Sequence, residues 1–159
     1  MSLAPVLDHA RGSWEGTNGF RLMPSDPLSE APATGTLSLA AGGCVATITY
    51  TWIHPQDGAQ DGLLAFGIGG GDNSITALWG DSWHQHPEVK IFEGTIDARG
   101  LISAGYEYAA GWRWEIILDP TQTDVLSMRM DNIVLPEAAT AEIPAVAYAA
   151  MLMELRRTS

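Results

Sequence analysis

Between Thr47 and His54 the chain alternates strictly. Thr47, Thr49 and Thr51 take one parity, and Ile48, Tyr50, Trp52 and His54 take the other. A period of two built from β-branched and aromatic residues is the pattern of a strand with one wet and one buried face. The threonines then face water and the larger side chains the interior. Pro55-Gln56-Asp57-Gly58 ends the run with a strong turn signal.

The same alternation recurs along the chain at short, even intervals. A turn of helix over Leu7–Arg11 is expected to close one end of the fold. A first strand runs from Ser13 to Met23, with Trp14, Phe20 and Leu22 on one face. Pro24-Ser25-Asp26-Pro27 breaks it into a loop reaching Pro32. Leu37 and Leu39 share a face, as do Leu64, Phe66 and Ile68. Ser74–Trp83 and Val89–Ile96 read as further strands, then Leu101–Tyr108. Trp112, Trp114, Ile116 and Leu118 follow on one side, then Leu126, Met128 and Met130. The last stretch, Pro144–Arg157, has the alanine, methionine and leucine content of a helix. It is read as a strand nonetheless, because an up-and-down sheet needs its last strand to close onto its first. About ten strands joined mostly by short turns predict an all-β fold, an antiparallel up-and-down β-barrel, as one domain over residues 1–159.

Composition narrows the function. A formal net charge of −11, with Lys90 the one lysine, repels phosphate backbones and anionic lipid, so neither nucleic acid nor a membrane is expected as a partner. The single Cys44 forms no disulfide and reads as a small buried hydrophobe. The N-terminal stretch lacks the basic and apolar regions of a signal peptide, which gives a cytoplasmic expectation.

Two stretches are more specific: Gly12-Ser13-Trp14-Glu15-Gly16 and Trp79-Gly80-Asp81-Ser82-Trp83-His84-Gln85. With the arginine-ended last strand, they resemble a bacterial calycin-like family of unknown function, similar in outline to lipocalins and nitrobindins. The resemblance implies a barrel whose first-strand tryptophan, Trp14, plugs one end, with Arg156 or Arg157 packed across it. Nitrobindin-like proteins hold haem through a histidine near the C-terminal strand. This chain has no histidine after Glu142, so a haem would need His54, His84 or His86, and no cofactor is assigned.

The inward faces carry Tyr50, Trp52, Phe66, Tyr106, Tyr108, Trp112 and Trp114, aromatic walls with scattered hydroxyls that suit a small hydrophobic or amphipathic ligand. His54, at the end of one such face, and His84 join Tyr50, Trp52, Phe66, Tyr106, Trp112 and Trp114 as the candidate ligand-binding residues. The alternative is a barrel filled by these rings that acts as a structural module or homodimer. A third reading is an enzyme that uses His84 and His86, two apart on a strand, as half of a metal site with Asp81 or His54. Asp81, Ser82 and His84 do not make a catalytic triad: on a strand Asp81 points away from the other two, and no nucleophile elbow is present. Asp81 is instead expected to pin a barrel rim by accepting backbone N–H groups. Glu107 and Glu115 fall on the outer face, and Gly69-Gly70-Gly71 is a turn, not a phosphate cradle.

Overall fold

Ten period-two segments become ten strands, and each hydrogen-bonds to its sequence neighbour. A computed structural model describes residues 2–158. The strands are β1 (Gly12–Phe20), β2 (Ser29–Ala40), β3 (Val45–His54), β4 (Gly58–Ile68), β5 (Ser74–Asp81), β6 (Gln85–Ile96), β7 (Ile102–Ala109), β8 (Trp112–Asp119), β9 (Val125–Val134) and β10 (Val146–Arg157). The order β1-β10-β9-β8-β7-β6-β5-β4-β3-β2 closes on itself, so the fold is an all-β, antiparallel up-and-down barrel. Among the described residues no helix is long and apolar enough to cross a membrane.

The C-terminal segment is β10, paired with both β1 and β9. Closure overrides its helical propensity: as a helix it would leave two open edges and expose Met151, Met153 and Leu155, which are buried on the inner face. Gly16 makes the seal with β1 possible, because a Cβ there would run into the Glu154 carbonyl.

Three local expectations are corrected. β1 stops at Phe20, and Leu22 stands 60% exposed in the loop beyond it. Ser29–Pro32 is strand, not loop, because the upper half of β1 needs a partner. Pro32 is tolerated there because β2 pairs with β3 only from Thr34 onward, so a missing donor costs little on a free edge. Cys44 is exposed, since it sits in the turn between β2 and β3 and not on an inward face.

The lower end is closed by the N-terminal segment. A helical turn, α1 (Ala4–Leu7), with Pro5 in its first turn, runs into a 3-10 turn over Asp8–Ala10, earlier than the expected Leu7–Arg11. Leu3, Leu7 and Ala10 are buried beneath the barrel, and the Trp14 indole N–H donates to the Ala10 carbonyl at 3.0 Å. The Arg157 guanidinium lies 4.3 Å from the Trp14 ring centroid and donates to the carbonyls of Arg11 and His9. Trp14 is thus held from both sides, and Arg157, not Arg156, is the arginine across it.

With the lower end plugged and Ile48, Leu64, Phe66, Ile116, Met130 and Met153 buried in one continuous cluster, the interior is a packed core. The barrel wall is uneven. β6 and β7 pair only through Gly94–Ile96 and Ile102–Ala104, so above that level Gln85–Glu93 and Gly105–Ala109 face each other across a seam. Pro87 and Lys90 sit on the β6 side, the residue types that keep a free strand edge from recruiting another chain.

Arg157→Ala removes a cation–π contact and two hydrogen bonds at the plug. It should cost about 1–2 kcal/mol of unfolding free energy in urea melts. Arg156→Ala should stay within about 0.5 kcal/mol, since Arg156 is exposed and only 3.6 Å from an equally exposed Glu154.

Candidate functional site

At the upper end the strands β3, β4 and β5 set Tyr50, Gly62 and Asp81 in one cross-strand row. Gly62 has no side chain to obstruct Tyr50, whose ring occupies the place a Cβ would take. The Tyr50 hydroxyl therefore reaches over β4 and donates to Asp81 Oδ2 at 2.8 Å. The Trp52 indole N–H donates to the same oxygen at 3.1 Å, and the Trp79 indole N–H donates to the Tyr50 oxygen at 2.8 Å.

Asp81 ends β5, and the chain turns through Ser82–His84 before β6 begins. Its other oxygen, Oδ1, organises that turn: it accepts the backbone N–H of Trp83 at 2.9 Å, that of His84 at 2.8 Å, and His84 Nδ1 at 3.2 Å. The carboxylate thus accepts five hydrogen bonds while being 3% exposed. Burial pushes the Asp81 carboxyl up. The hydrogen bond and charge of His84, with the two backbone donors, outweigh burial and hold it below the ordinary carboxylate value. Burial and the Asp81 charge push the Tyr50 hydroxyl well above its usual value, so it stays a donor.

The turn corrects two expectations. Because Ser82–His84 is not strand, parity does not govern it. His84 is drawn inward with its side chain 7% exposed, while His86 is exposed on the outer wall beside Pro87. The two imidazoles do not face each other, and among the described residues no group of three His, Cys, Asp or Glu side chains could hold a metal ion. Ser82 points outward, accepting the Asp61 N–H and donating to Gln60, so His84 and Asp81 form a dyad without a hydroxyl nucleophile. The anticipated rim role of Asp81 is what its two backbone bonds perform.

Aromatic rings enclose His84. Its ring centroid lies 4.8 Å from Trp83, 5.1 Å from both Trp52 and Trp114, and 5.9 Å from Phe20. Trp79 and Trp114 stack in parallel at 5.7 Å. Beside them opens a cavity of about 240 Å³ lined by Trp79, Trp83, His84, Gln85, Tyr106, Tyr108 and Trp114. It lies at the seam, where the Tyr106 hydroxyl donates to Gln85 Oε1 at 2.7 Å and ties β7 to the start of β6. The Lys90 ammonium rests over the Tyr106 ring, 5.2 Å from its centroid. Burial, then the neighbouring Tyr108, pushes the Tyr106 hydroxyl up to about 12.

Two polar atoms on this wall have no partner: His84 Nε2 and Trp114 Nε1, both buried. Asp81 as an acceptor requires a hydrogen on His84 Nδ1, so in the neutral ring Nε2 carries a lone pair. Trp114 Nε1 is a donor only. In the neutral ring one of these atoms is an acceptor and the other a donor, on rings whose centroids are 5.1 Å apart, and buried groups of this kind are costly when unmatched.

Of the residues singled out from sequence, Tyr106, Trp114 and His84 line this cavity. Tyr50 and Trp52 stand behind it as donors to Asp81. His54 lies on the far side of Trp83, stacked on it at 4.6 Å, and its Nδ1 caps the turn by accepting the N–H groups of Gln56 and Asp57. Phe66 is deep in the core, and Trp112 is half-buried against Tyr108. Tyr108, read as inward, is 47% exposed at the seam, because a bulge after Glu107 shifts the end of β7. Trp79, Trp83 and Gln85 were missed as wall residues, although all three belong to the segment Trp79–Gln85. A neighbouring rim depression of about 360 Å³, lined by Phe20, His54, Asp57 and Trp83 among others, shares the Trp83 ring as its partition. Asp57 fixes that ring by accepting the Trp83 indole N–H at 2.8 Å.

No protein-family model matches the sequence, and no curated protein matches it significantly. The functional reading is therefore carried by the site.

Asp81→Ala should cost about 3 kcal/mol or more, because the Tyr50 hydroxyl and the Trp52 N–H lose their buried acceptor. The folded carboxyl titrates below its unfolded value of about 3.9. Its stabilisation is thus fully present above that pH and lost as the pH falls through the folded value. Urea melts from pH 6 to 2 should show a shallower acid limb for Asp81→Asn than for the parent protein.

Proposed function

We propose that the protein binds a small, uncharged aromatic or amphipathic molecule at the upper end of the barrel, against His84 and Trp114. The observation that carries this reading is the concavity itself, whose wall is mostly aromatic (Trp79, Trp83, Tyr106, Tyr108 and Trp114) with His84 and Gln85 as polar groups among the rings. Ligand sites are mostly apolar concavities with a few placed polar groups, and this wall has that composition. At about 240 Å³ the cavity falls below the usual range of about 300–1,000 Å³ for drug-sized ligands, which favours a single small ring. The core beneath is filled, so the ligand sits at the rim and not in a central channel.

Charge supports an uncharged ligand. No Lys, Arg, Asp or Glu side chain lines the cavity, and the chain carries a net −11. A carboxylate or phosphate brought here would lose its hydration beside the ionised Asp81 without gaining a cation from the wall. The dyad also gives Nε2 the means to take up or release a proton, but no nucleophile accompanies it, and binding is the activity the residues support.

A self-pairing barrel is the second reading, and one surface feature favours it. Leu63 on β4 and Val89 and Ile91 on β6 are exposed on the same stretch of outer wall. Light scattering that finds a dimer dissolved by Ile91→Lys would support self-pairing, and a monomer would remove it.

Titration with indole, followed by amide NMR shifts, tests the binding reading. Saturable shifts should concentrate at Trp83–Gln85, Tyr106–Tyr108 and Trp114. Shifts confined to the outer threonine wall of β2 and β3 would contradict it.

A further inference from the structure

Across Trp83 from the aromatic cavity lies the rim depression of about 360 Å³, whose wall carries polar groups that the cavity does not use. The first is His54, with a side chain only 7% exposed. Its Nδ1 accepts the backbone N–H groups of Gln56 and Asp57 and lies 3.1 Å from Asp57 Oδ2. The neutral ring must then carry its hydrogen on Nε2. A protonated ring, donating from Nδ1 to Asp57, carries one there too. Nε2 is a donor in either state. It has no partner among the described residues, yet it is not sealed off as His84 Nε2 and Trp114 Nε1 are. Because His54 lines the depression, this N–H is placed to meet a group bound there.

The second is Arg21. Its Nε donates to the Ala149 carbonyl at 2.8 Å and its Nη1 to the Pro24 carbonyl at 3.4 Å, with the guanidinium 5.7 Å from the Tyr148 ring centroid. These contacts fix the cation without neutralising it, since among the described residues no carboxylate pairs with it. A fixed guanidinium and a neutral donor on one wall suit a carboxylate. Asp26 and Asp57 line the same depression. Asp26 has one oxygen on the Met23 N–H and Asp57 one on the Trp83 indole, which leaves each with an oxygen to spare.

We propose that this depression is a second binding site, for a small zwitterion of α-amino-acid type with an apolar side chain. The ligand carboxylate accepts from His54 Nε2 and Arg21, its ammonium donates to Asp26 and Asp57, and its side chain covers Leu22 and Trp83. Leu22 is otherwise 60% exposed, an apolar surface at the mouth of the depression with no covering of its own. Charge selects this class over either of its halves. An anion without the ammonium meets two aspartates and a chain of net −11. An amine without the carboxylate leaves the His54 N–H unmatched and sets a second cation beside Arg21. A neutral pair of opposite charges answers all four groups at once. The volume also lies within the range of about 300–1,000 Å³ usual for small-molecule sites.

Calorimetric titration of the full chain with L-phenylalanine, 3-phenylpropanoate and 2-phenylethylamine tests the assignment, with amide NMR shifts to locate the site. Phenylalanine should bind about tenfold or more tightly than either analogue, with shifts centred on Phe20–Ser29 and His54–Asp57. Asp26→Asn keeps an acceptor for the Met23 N–H, and it should narrow the gap between phenylalanine and 3-phenylpropanoate by about threefold or more. His54→Phe keeps a ring against Trp83, and it should weaken phenylalanine by about fivefold or more while leaving the amine unchanged. Circular dichroism establishes that each variant is folded, and the Asp26 variant decides alone if the His54 variant is not. Either analogue binding the parent protein as tightly as phenylalanine would overturn the zwitterion, as would a gap that Asp26→Asn leaves unchanged. Binding of none of the three, or shifts confined to Trp79 and Tyr106, would overturn the site. None of these results touches the indole titration, which reads the other cavity.

Discussion

The upper half of this barrel depends on one buried carboxylate. Asp81 ends a strand, collects hydroxyl and indole donors from β3 on one oxygen, and holds the backbone of the following turn and the His84 ring on the other. Ionised groups are expensive to bury unless their lone pairs are matched, and here five donors match them. The consequence is positional. Without those bonds nothing would fix Ser82–His84 against the barrel, and the imidazole would have no reason to lie under four other aromatic rings. Gly62 is the silent partner in this arrangement, since it gives the Tyr50 ring its path across β4.

The two ends of the barrel solve opposite problems with similar means. At the lower end Trp14 is fully used: its N–H goes to Ala10, its face to Arg157, its edges to the core. At the upper end the tryptophans are stacked but incompletely matched, with Trp114 N–H left over and the wall parted between β6 and β7. This asymmetry distinguishes the plugged lower end from the upper end, where binding is proposed, more than barrel topology does, because a fold of this kind hosts many functions.

The sequence carried the fold well because strand periodicity is local. Thr47–His54 declares its two faces without help from the rest of the chain, and turn signals such as Pro55–Gly58 mark where strands end. The closing strand β10 was legible only through topology, since its own composition favours helix. The site was legible in part. Tyr106, Trp114 and His84 could be placed on inward or rim positions, and the segment Trp79–Gln85 stood out as distinctive. What parity could not give was the turn at Ser82–His84. It breaks the period-two rule and sends His84 and His86 to different sides, and its shape is set by a long-range carboxylate. The bulge that exposes Tyr108 and the missing β6–β7 pairs are likewise products of register, which no single stretch encodes. Phe66 and Trp112 were placed in the site by parity alone. Parity tells inside from outside but not height along the barrel.

The upper end is organised by the Asp81–His84 bond, which in the neutral ring leaves a lone pair at Nε2. Long-range proton–nitrogen correlation of the histidine rings reads that state directly. The account predicts that the neutral His84 ring carries its hydrogen on Nδ1, with the Nε2 resonance in the unprotonated range, and that Asp81→Asn loses this preference. A neutral His84 ring with its hydrogen on Nε2 would contradict it, because the wall would then present two donors and the carboxylate would not be setting the site.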